Sequence, residues 1–167
     1  MKNWSLIVTL LTFTLFTGCQ SDEEEQEIPL EKGELSLFNQ EKKSVAYIDY
    51  DDEATIYLWE GMPVAYLVSN NEEKSPDEIK EVYGFNGHFL GWYYNGVLYD
   101  RDGYAVGSKK GIVRGSIYMT AVFADRAKGI KHVKQVKHVR EIAPARRILM
   151  DSWSETLLID FLQKGVL

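Results

Sequence analysis

Apolar and polar positions between Leu35 and Lys110 follow one order four times over. The copies run Leu37-Phe38 to Ala46, Ile56-Tyr57 to Ala65, Val82-Tyr83 to Gly91, and Leu98-Tyr99 to Gly107. In each, an aliphatic precedes an aromatic, a turn pair follows, and a second aliphatic precedes an Ala or Gly eight positions after the aromatic. Period-two alternation on both sides of a turn is the signature of a β-hairpin, and a fixed self-similarity has to be read before any single element. Three of the turn pairs are Glu60-Gly61, Asn86-Gly87 and Asp102-Gly103, which predicts two-residue type I′ loops because glycine takes a positive φ without penalty. The first copy has Glu41-Lys42 there, so its turn is either strained or of another type.

With those pairs at the loop centres, Tyr57 is expected opposite Val64, Ile56 opposite Ala65, Tyr83 opposite Leu90 and Val82 opposite Gly91. One face then carries Tyr57, Trp59, Tyr66, Tyr83, Phe85, Trp92, Tyr99 and Tyr104; the other carries aliphatics beside Ala46, Ala65, Gly91 and Gly107. Alternation along a strand keeps these sets on opposite faces, and the small residues permit close backbone approach. A single hairpin is marginal in water, so the copies must bury one another. The expected fold is mainly β: four antiparallel hairpins around a pseudo-four-fold axis, an extended basic segment and a short C-terminal helix. The polar run from Asn70 to Glu78 is expected to be a solvent-exposed insertion between copies two and three.

On Leu35 to Ile48, Ile56 to Leu67, Val82 to Gly107 and the tail from Ser152 to Leu162, about three quarters of the chain, the sequence resembles the four-fold beta flower family of small bacterial proteins. The resemblance implies the four-hairpin arrangement. It implies no biochemical activity and supplies no catalytic residues.

Beyond the hairpins the charge changes sign. Gln20 to Asp100 holds 5 basic and 19 acidic residues, whereas Arg101 to Leu167 holds 13 basic and 6 acidic, within a net charge of −6 for the whole chain. Such asymmetry points to an internal electrostatic contact or to a binding surface. Ile130, Val133, Val136, Val139 and Ile142 recur at intervals of three, with Lys131, Lys134, Lys137 and Arg140 following the first four. Period three suits a polyproline II ribbon or a drifting helical stripe, and the resemblance favours the extended form. Two readings stay open: a strap that lays Val and Ile on the hairpins while its cations stay in water, and a binding strip on Lys131, Lys134, Lys137 and Arg140 for an anionic glycan or lipid head group. Nucleic acid suits an exported acidic protein poorly. Ser152 with Glu155 matches a capping box, and Trp153, Leu157, Leu158, Phe161 and Leu162 then line one face of a helix that Gly165 would stop.

At the other end, Lys2 precedes a short apolar run from Leu6 to Phe16, which ends in Phe16-Thr17-Gly18-Cys19. This is signal-peptide anatomy, too short for a bilayer span of roughly 20 residues, and its end resembles a bacterial lipobox whose Cys takes the lipid. Ser21-Asp22-Glu23-Glu24-Glu25 is similar to the acidic signal that sends lipoproteins of Bacteroidetes-type bacteria to the outer face of the outer membrane; as an ordinary acidic tether it would be equally well formed. The expected partner is thus a membrane, held through a lipid on Cys19. The expected location is the bacterial cell envelope, as an outer-membrane lipoprotein at the cell surface or facing the periplasm. The domain reading is a leader over 1–18, a tether over 19–34, the hairpins over 35–110, the basic segment over 111–150 and the helix over 151–167.

Candidate chemistry is thin. A single Cys excludes a disulfide framework. His132 and His138 lack sequence-evident third and fourth zinc ligands, and neither a nucleophile elbow nor a phosphate loop occurs. No cofactor or metal site is expected. The leading expectation is a noncatalytic module, structural or ligand-binding; the alternative is an envelope enzyme whose site is assembled from loops. A contiguous exposed aromatic patch would favour binding, and a polar cleft with clustered carboxylates and His88 would favour catalysis.

Overall fold

A computed structural model describes residues 32–69, 78–123 and 127–167. Cys19, its leader, most of the tether and residues 70–77 of the polar run lie outside the described residues; Glu78, which ends that run and was expected in solvent, is buried and accepts the Ser69 hydroxyl.

Eight strands, β1 (Glu34–Phe38), β2 (Ser44–Asp49), β3 (Thr55–Leu58), β4 (Pro63–Val68), β5 (Lys80–Gly84), β6 (Phe89–Tyr94), β7 (Val97–Tyr99) and β8 (Ala105–Ser108), pair in sequence order and close into a barrel. Every pair is antiparallel, and Phe38 opposite Ser108 joins the last strand to the first. Closure leaves no open edge to template aggregation. A ribbon of β9 (Val113–Arg114) and β10 (Ile117–Tyr118) follows, then the strap over 127–150, and last a helix, α1 (Leu158–Gln163).

The expected register holds at Ile56 opposite Ala65 and Val82 opposite Gly91, then departs by one residue: Tyr57 faces Pro63 and Tyr83 faces Phe89. The same shift separates Leu37 from Phe38 and Leu98 from Tyr99. Each hairpin thus carries a β-bulge at the equivalent place, where two residues oppose one. The bulge brings Val64, Leu90 and Val106 into the same interior cluster as Ala65 and its counterparts.

The turns differ from the expected type for the same reason. Gly61 N–H bonds to the Leu58 carbonyl while Leu58 N–H bonds to the Met62 carbonyl. This is a three-residue loop, a type I turn closed by a left-handed residue. Gly84 with Gly87 and His88, Asp100 with Gly103 and Tyr104, and Asn39 with Lys42 and Lys43 repeat it. The left-handed residue is glycine in three copies and Lys42, at φ 65°, in the first, so the first turn is of the same type as the others. The φ-positive pair of a type I′ loop occurs instead between copies three and four, at Asn95-Gly96.

The two faces separate as alternation requires. Inside lie Leu37, Ile48, Ile56, Leu58, Val82 and Leu98 around Ala46 and Ala65, and α1 inserts Leu158, Phe161 and Leu162 among them. A Cβ on Gly107 would sit 2.9 Å from the Leu158 methyls, and one on Gly84 would sit 2.3 Å from the Gly165 Cα. Both glycines make room for this C-terminal plug. Outside lie three aromatic groups: Tyr47, Tyr57 and Trp59; Tyr66, Tyr83, Phe85, Phe89 and Trp92; and Tyr99 with Phe38, Ile117 and Met119. Tyr104 stands apart from them, exposed.

The helix is shorter than its sequence signature. Ser152 and Ser154 exchange main-chain bonds with Ala105, and Trp153 bridges the same residue, so the capping-box residues extend along β8 instead of starting a helix. Leu157 is the N-cap, without a side-chain cap bond, and Leu157 itself is exposed. Gly165 is kept small by Val64 and Gly84 and has no positive φ.

Candidate functional site

The strap makes no helix or strand, so its main chain has to find partners elsewhere. It finds them at the hairpin turns, in strict succession. Phe123, ahead of the strap, and His132, Glu141 and Met150 within it donate their N–H groups to the carbonyls of Lys42, Gly61, Gly87 and Gly103, the four left-handed turn residues. These donors are nine residues apart. Nine is three turns of a three-residue ribbon, so the same edge of the strap returns at each hairpin. A second series agrees: Gly129 bonds to Trp59 and His138 to Phe85. The turn glycines serve this contact as well as their own conformation, since a Cβ at Gly61, Gly87 or Gly103 would lie 2.1–2.3 Å from the carbonyl oxygens of Ile130, Val139 and Ile148.

Orientation is where the strap reverses the sequence-based expectation. Its cations face the barrel and its aliphatics face water. Lys128 stands 4.2 Å from the centroid of the Tyr47 ring, and Lys137 stands 4.4 Å from that of Tyr66. Lys131 over Tyr57 and Arg140 over Tyr83 repeat the arrangement at 5.4 and 5.3 Å, within reach of a cation–π attraction. The Lys131 ammonium also bonds to Asp49 at 2.5 Å and Glu34 at 2.9 Å, Lys134 to Asp52 at 2.5 Å, and Lys137 to Glu53 at 2.8 Å. Ile130, Val133, Val136, Val139 and Ile142 are 84–95% exposed. The usual rule, apolar inward, fails because the surface under the strap is a pavement of ring faces edged with carboxylates. An ammonium satisfies both at once, whereas Val would leave Asp49 buried without its cation.

Charges within this contact stabilise one another. Bonds from Lys128 and Lys131 hold Glu34 below the usual carboxylate range; Lys134 and the Tyr57 hydroxyl do so for Asp52, and Lys137 for Glu53. Conversely, bonds to Asp49 and Glu34 push Lys131 up, and a bond to Asp52 does the same for Lys134. Burial, then the nearby Glu81, pushes Tyr83 up to about 12. The strip Lys131, Lys134, Lys137 and Arg140 is therefore brought together as a row, turned toward the protein.

A concavity of about 400 Å³ is lined by Val139, Arg140 and Glu141 of the strap with Glu81 and Tyr83, and two more lie off the strap. One, about 390 Å³, is lined by His88, Phe89, Asp100, Arg101, Thr156 and Lys164 among others. Of its two acids, Asp100 is engaged: it accepts the Asp102 and Tyr104 N–H groups at 3.0 Å and the Ser154 hydroxyl at 2.5 Å. Glu141, at the strap above it, accepts the Phe89 N–H at 2.7 Å, contacts His88 at 3.2 Å and pairs with Arg101. Burial alone would raise the Glu141 pKa, but the bonds from His88 and Phe89 with the Arg101 charge hold it low. The other concavity, about 460 Å³, opens where the strap's course begins and ends, between hairpins four and one, and is lined by Gln40, Lys42, Ser116, Tyr118, Ser152 and Trp153. Lys42 stands 5.6 Å from the Tyr118 centroid, that ring is 56% exposed, and Trp153 Nε1 donates to the Ser116 carbonyl at 3.2 Å.

His132 and His138 lie on the edge of the strap whose N–H groups meet the turns. Among the described residues no group of three or more His, Cys, Asp or Glu side chains could hold a metal, and no helix is long and apolar enough to cross a membrane. The seam cavity was not legible in the sequence, because it joins three segments far apart in the chain. The nine-residue register was: Ile130, Val139 and Ile148 share it, as do Lys128, Lys137 and Arg146.

A family model described as 4-fold beta flower protein matches residues 35–162, and the chain belongs to that family. A search of curated proteins and a search of solved structures each find no match.

Proposed function

We propose that the protein is a noncatalytic binding module of the bacterial envelope, tethered through a lipid on Cys19 and presenting the cavity at the seam of its hairpin ring to an anionic glycan or lipid head group. One observation supports this reading above others. The carboxylates under the strap are spent on fastening it, whereas the seam combines an exposed tyrosine, an indole and a lysine whose ammonium stands over the tyrosine ring. A sugar ring stacks on an aromatic face while its hydroxyls meet Gln40, Ser116 and Ser152, and Lys42 supplies a counter-charge for carboxylate or phosphate. The strip Lys131, Lys134, Lys137 and Arg140 would serve the same anions only after surrendering its carboxylates and rings. The chain from Cys19 to Glu34 is long enough to hold the domain clear of the bilayer, up to about 50 Å at full extension.

Two measurements test the reading. Mass spectrometry of the membrane-fractionated protein is expected to find a lipid-modified N-terminus at Cys19, and Cys19→Ala is expected to lose membrane association; unchanged fractionation contradicts the anchor. Titration with acidic oligosaccharides at low salt is expected to show binding that Tyr118→Ala or Lys42→Glu abolishes and that weakens as the Debye length shrinks from ~10 Å at 0.1 M to ~3 Å at 1 M. Binding removed by reversing Lys131, Lys134 and Lys137 instead would move the site to the strip. The enzymatic alternative rests on the cleft beside His88, and hydrolysis of an envelope substrate abolished by His88→Ala would establish it.

A further inference from the structure

From turn to turn the chain takes three nine-residue steps, Phe123 to His132, His132 to Glu141 and Glu141 to Met150, and the last breaks the pattern of the other two. In the first two a further main-chain bond lies within the step, Gly129 to Trp59 and His138 to Phe85. Nine residues on, Arg147 reaches the same place: its Cβ lies 3.5 Å from where a Cβ on Gly103 would stand, as the His138 Cβ lies 3.3 Å from one on Gly87. No main-chain bond joins Arg147 to Arg101, the counterpart of Trp59 and Phe85, and no main-chain group of residues 142–149 is hydrogen-bonded among the described residues. The cations fall out of step as well. Lys128 and Lys137 stand over Tyr47 and Tyr66 and pair with Glu34 and Glu53. Arg146, the third of that series, is exposed, with neither ring nor carboxylate as partner among the described residues, and the same holds for Arg147. Leu149 takes the place of Lys131 and Arg140 and packs on the aromatic groups of hairpins three and four.

We propose that this step is the recognition site of an arginine-specific endopeptidase, which hydrolyses the Arg147–Ile148 bond. An endopeptidase bonds the main chain of an extended substrate to its own, so a segment already bonded to its own fold is a poor substrate and one with free N–H and carbonyl groups is a good one. A carboxylate in the specificity pocket takes a guanidinium in a bidentate grip. Among the strap's cations only Arg146 and Arg147 offer a side chain without first breaking an ion pair or leaving a ring. Water adds across the bond, leaving a carboxylate on Arg147 and an amine on Ile148. The fragment that begins at Ile148 stays in place through Met150 on Gly103, Ser152 and Ser154 on Ala105, and α1 in the barrel. The cut thus frees one end of the strap and leaves the barrel closed.

The experiment is brief trypsin digestion of the full chain in detergent near neutral pH, with the products identified by mass spectrometry. Within 127–150 the first cut is expected after Arg147, about tenfold or more ahead of cuts at Lys128, Lys131, Lys134, Lys137 or Arg140, because those need the strap to open first. Arg146→Gln with Arg147→Gln should abolish that cut and leave the melting temperature in place, since both side chains are exposed. A broad-specificity protease should still cut the double variant between Glu141 and Met150, which shows that the segment stays open. Protein recovered from the bacterium that makes it should include a fraction whose second fragment begins at Ile148. A first trypsin cut at any of the paired lysines or at Arg140 overturns the proposal, as do equal rates along the strap. A chain that is wholly intact in its own cells overturns the processing role.

Discussion

The barrel and its strap share one quasi-four-fold plan but are held by different forces. Each hairpin repeats the same bulge and turn, and the strap answers with one nine-residue step for each turn. Inside the barrel, aliphatic burial and a closed hydrogen-bond ladder carry stability, which depends little on salt. Under the strap the apolar contact comes from Ala143 and Leu149 near its end, and ring faces, ion pairs and main-chain bonds hold the rest. One symmetry can thus be enforced twice, once by packing and once by charge, and the two layers should come apart under different stresses.

Overpacking the barrel should give the largest effect. A Cβ on Gly91 would lie 1.9 Å from the Tyr99 carbonyl oxygen, whereas one on Gly107 meets only the tips of Leu158. Backbone cannot move aside as a leucine can. Gly91→Ala is therefore expected at or beyond the top of the roughly 1–3 kcal/mol range for overpacking, with Gly107→Ala near its bottom. Thermal melting of the two variants decides it, and equal losses would mean that β7 yields more easily than the ladder suggests.

Next comes the joint between the layers. Gly87 is at φ 85° and a Cβ there would lie 2.2 Å from the Val139 carbonyl, so Gly87→Ala strains the turn and pushes the strap off at one stroke. Left-handed strain alone costs about 1–2 kcal/mol. Hydrogen exchange is expected to rise at His138 and Glu141, the strap amides of this turn, while β2 and β3 keep their protection. Loss of protection throughout would show that strap and barrel unfold as one unit.

How much of this was legible follows from the same division. The hairpins announce themselves because packing imposes period two and demands small residues at Ala46, Ala65, Gly91 and Gly107. The bulge leaves no mark in the pattern because Val64 and Ala65 are both apolar and small, so a shift of one is silent. Turn type is not encoded locally either, since a glycine after Glu60 or Asp102 fits a type I′ loop and the observed loop equally well. The period of the strap was legible but its direction was not: period three fixes that Val and Lys occupy different edges, and only the surface beneath decides which faces inward. The seam cavity needs Lys42, Tyr118 and Trp153 together, and nothing local in the chain links them.

Acid and alkali should loosen the strap before the barrel. Glu34, Asp52, Glu53 and Glu141 have lowered pKa values in the folded chain. Their contribution is present above the unfolded carboxylate range near 4 and is lost as pH falls through the lower folded values. Lys131, Lys134 and Tyr83 are raised, so theirs is present below about 10 and is lost as pH climbs through the folded values. Proteolysis within 127–150 is therefore expected to accelerate below about pH 4 and above about pH 10, with far-ultraviolet dichroism of the barrel unchanged at the onset. A strap equally protected across that range would imply that its main-chain bonds suffice.

The smallest effects separate the lysines from one another. Their acceptors differ in burial: the Asp49 side chain is 6% exposed, Asp52 34% and Glu53 67%. Replacing a lysine by Met keeps the apolar stem and removes the charge, so the cost reflects the carboxylate left behind. For Lys131→Met that carboxylate is buried, and an unpaired buried acceptor costs about 1–3 kcal/mol. For Lys134→Met water partly replaces the ammonium, leaving about 0.5 kcal/mol, and for Lys137→Met the pair is exposed enough to fall near zero. Melting in low salt should rank the three in that order, and 1 M salt should shrink the Lys134 loss more than the Lys131 loss, because screening reaches exposed pairs first. A flat series would mean that ring contacts hold the strap and that the carboxylates only accompany them.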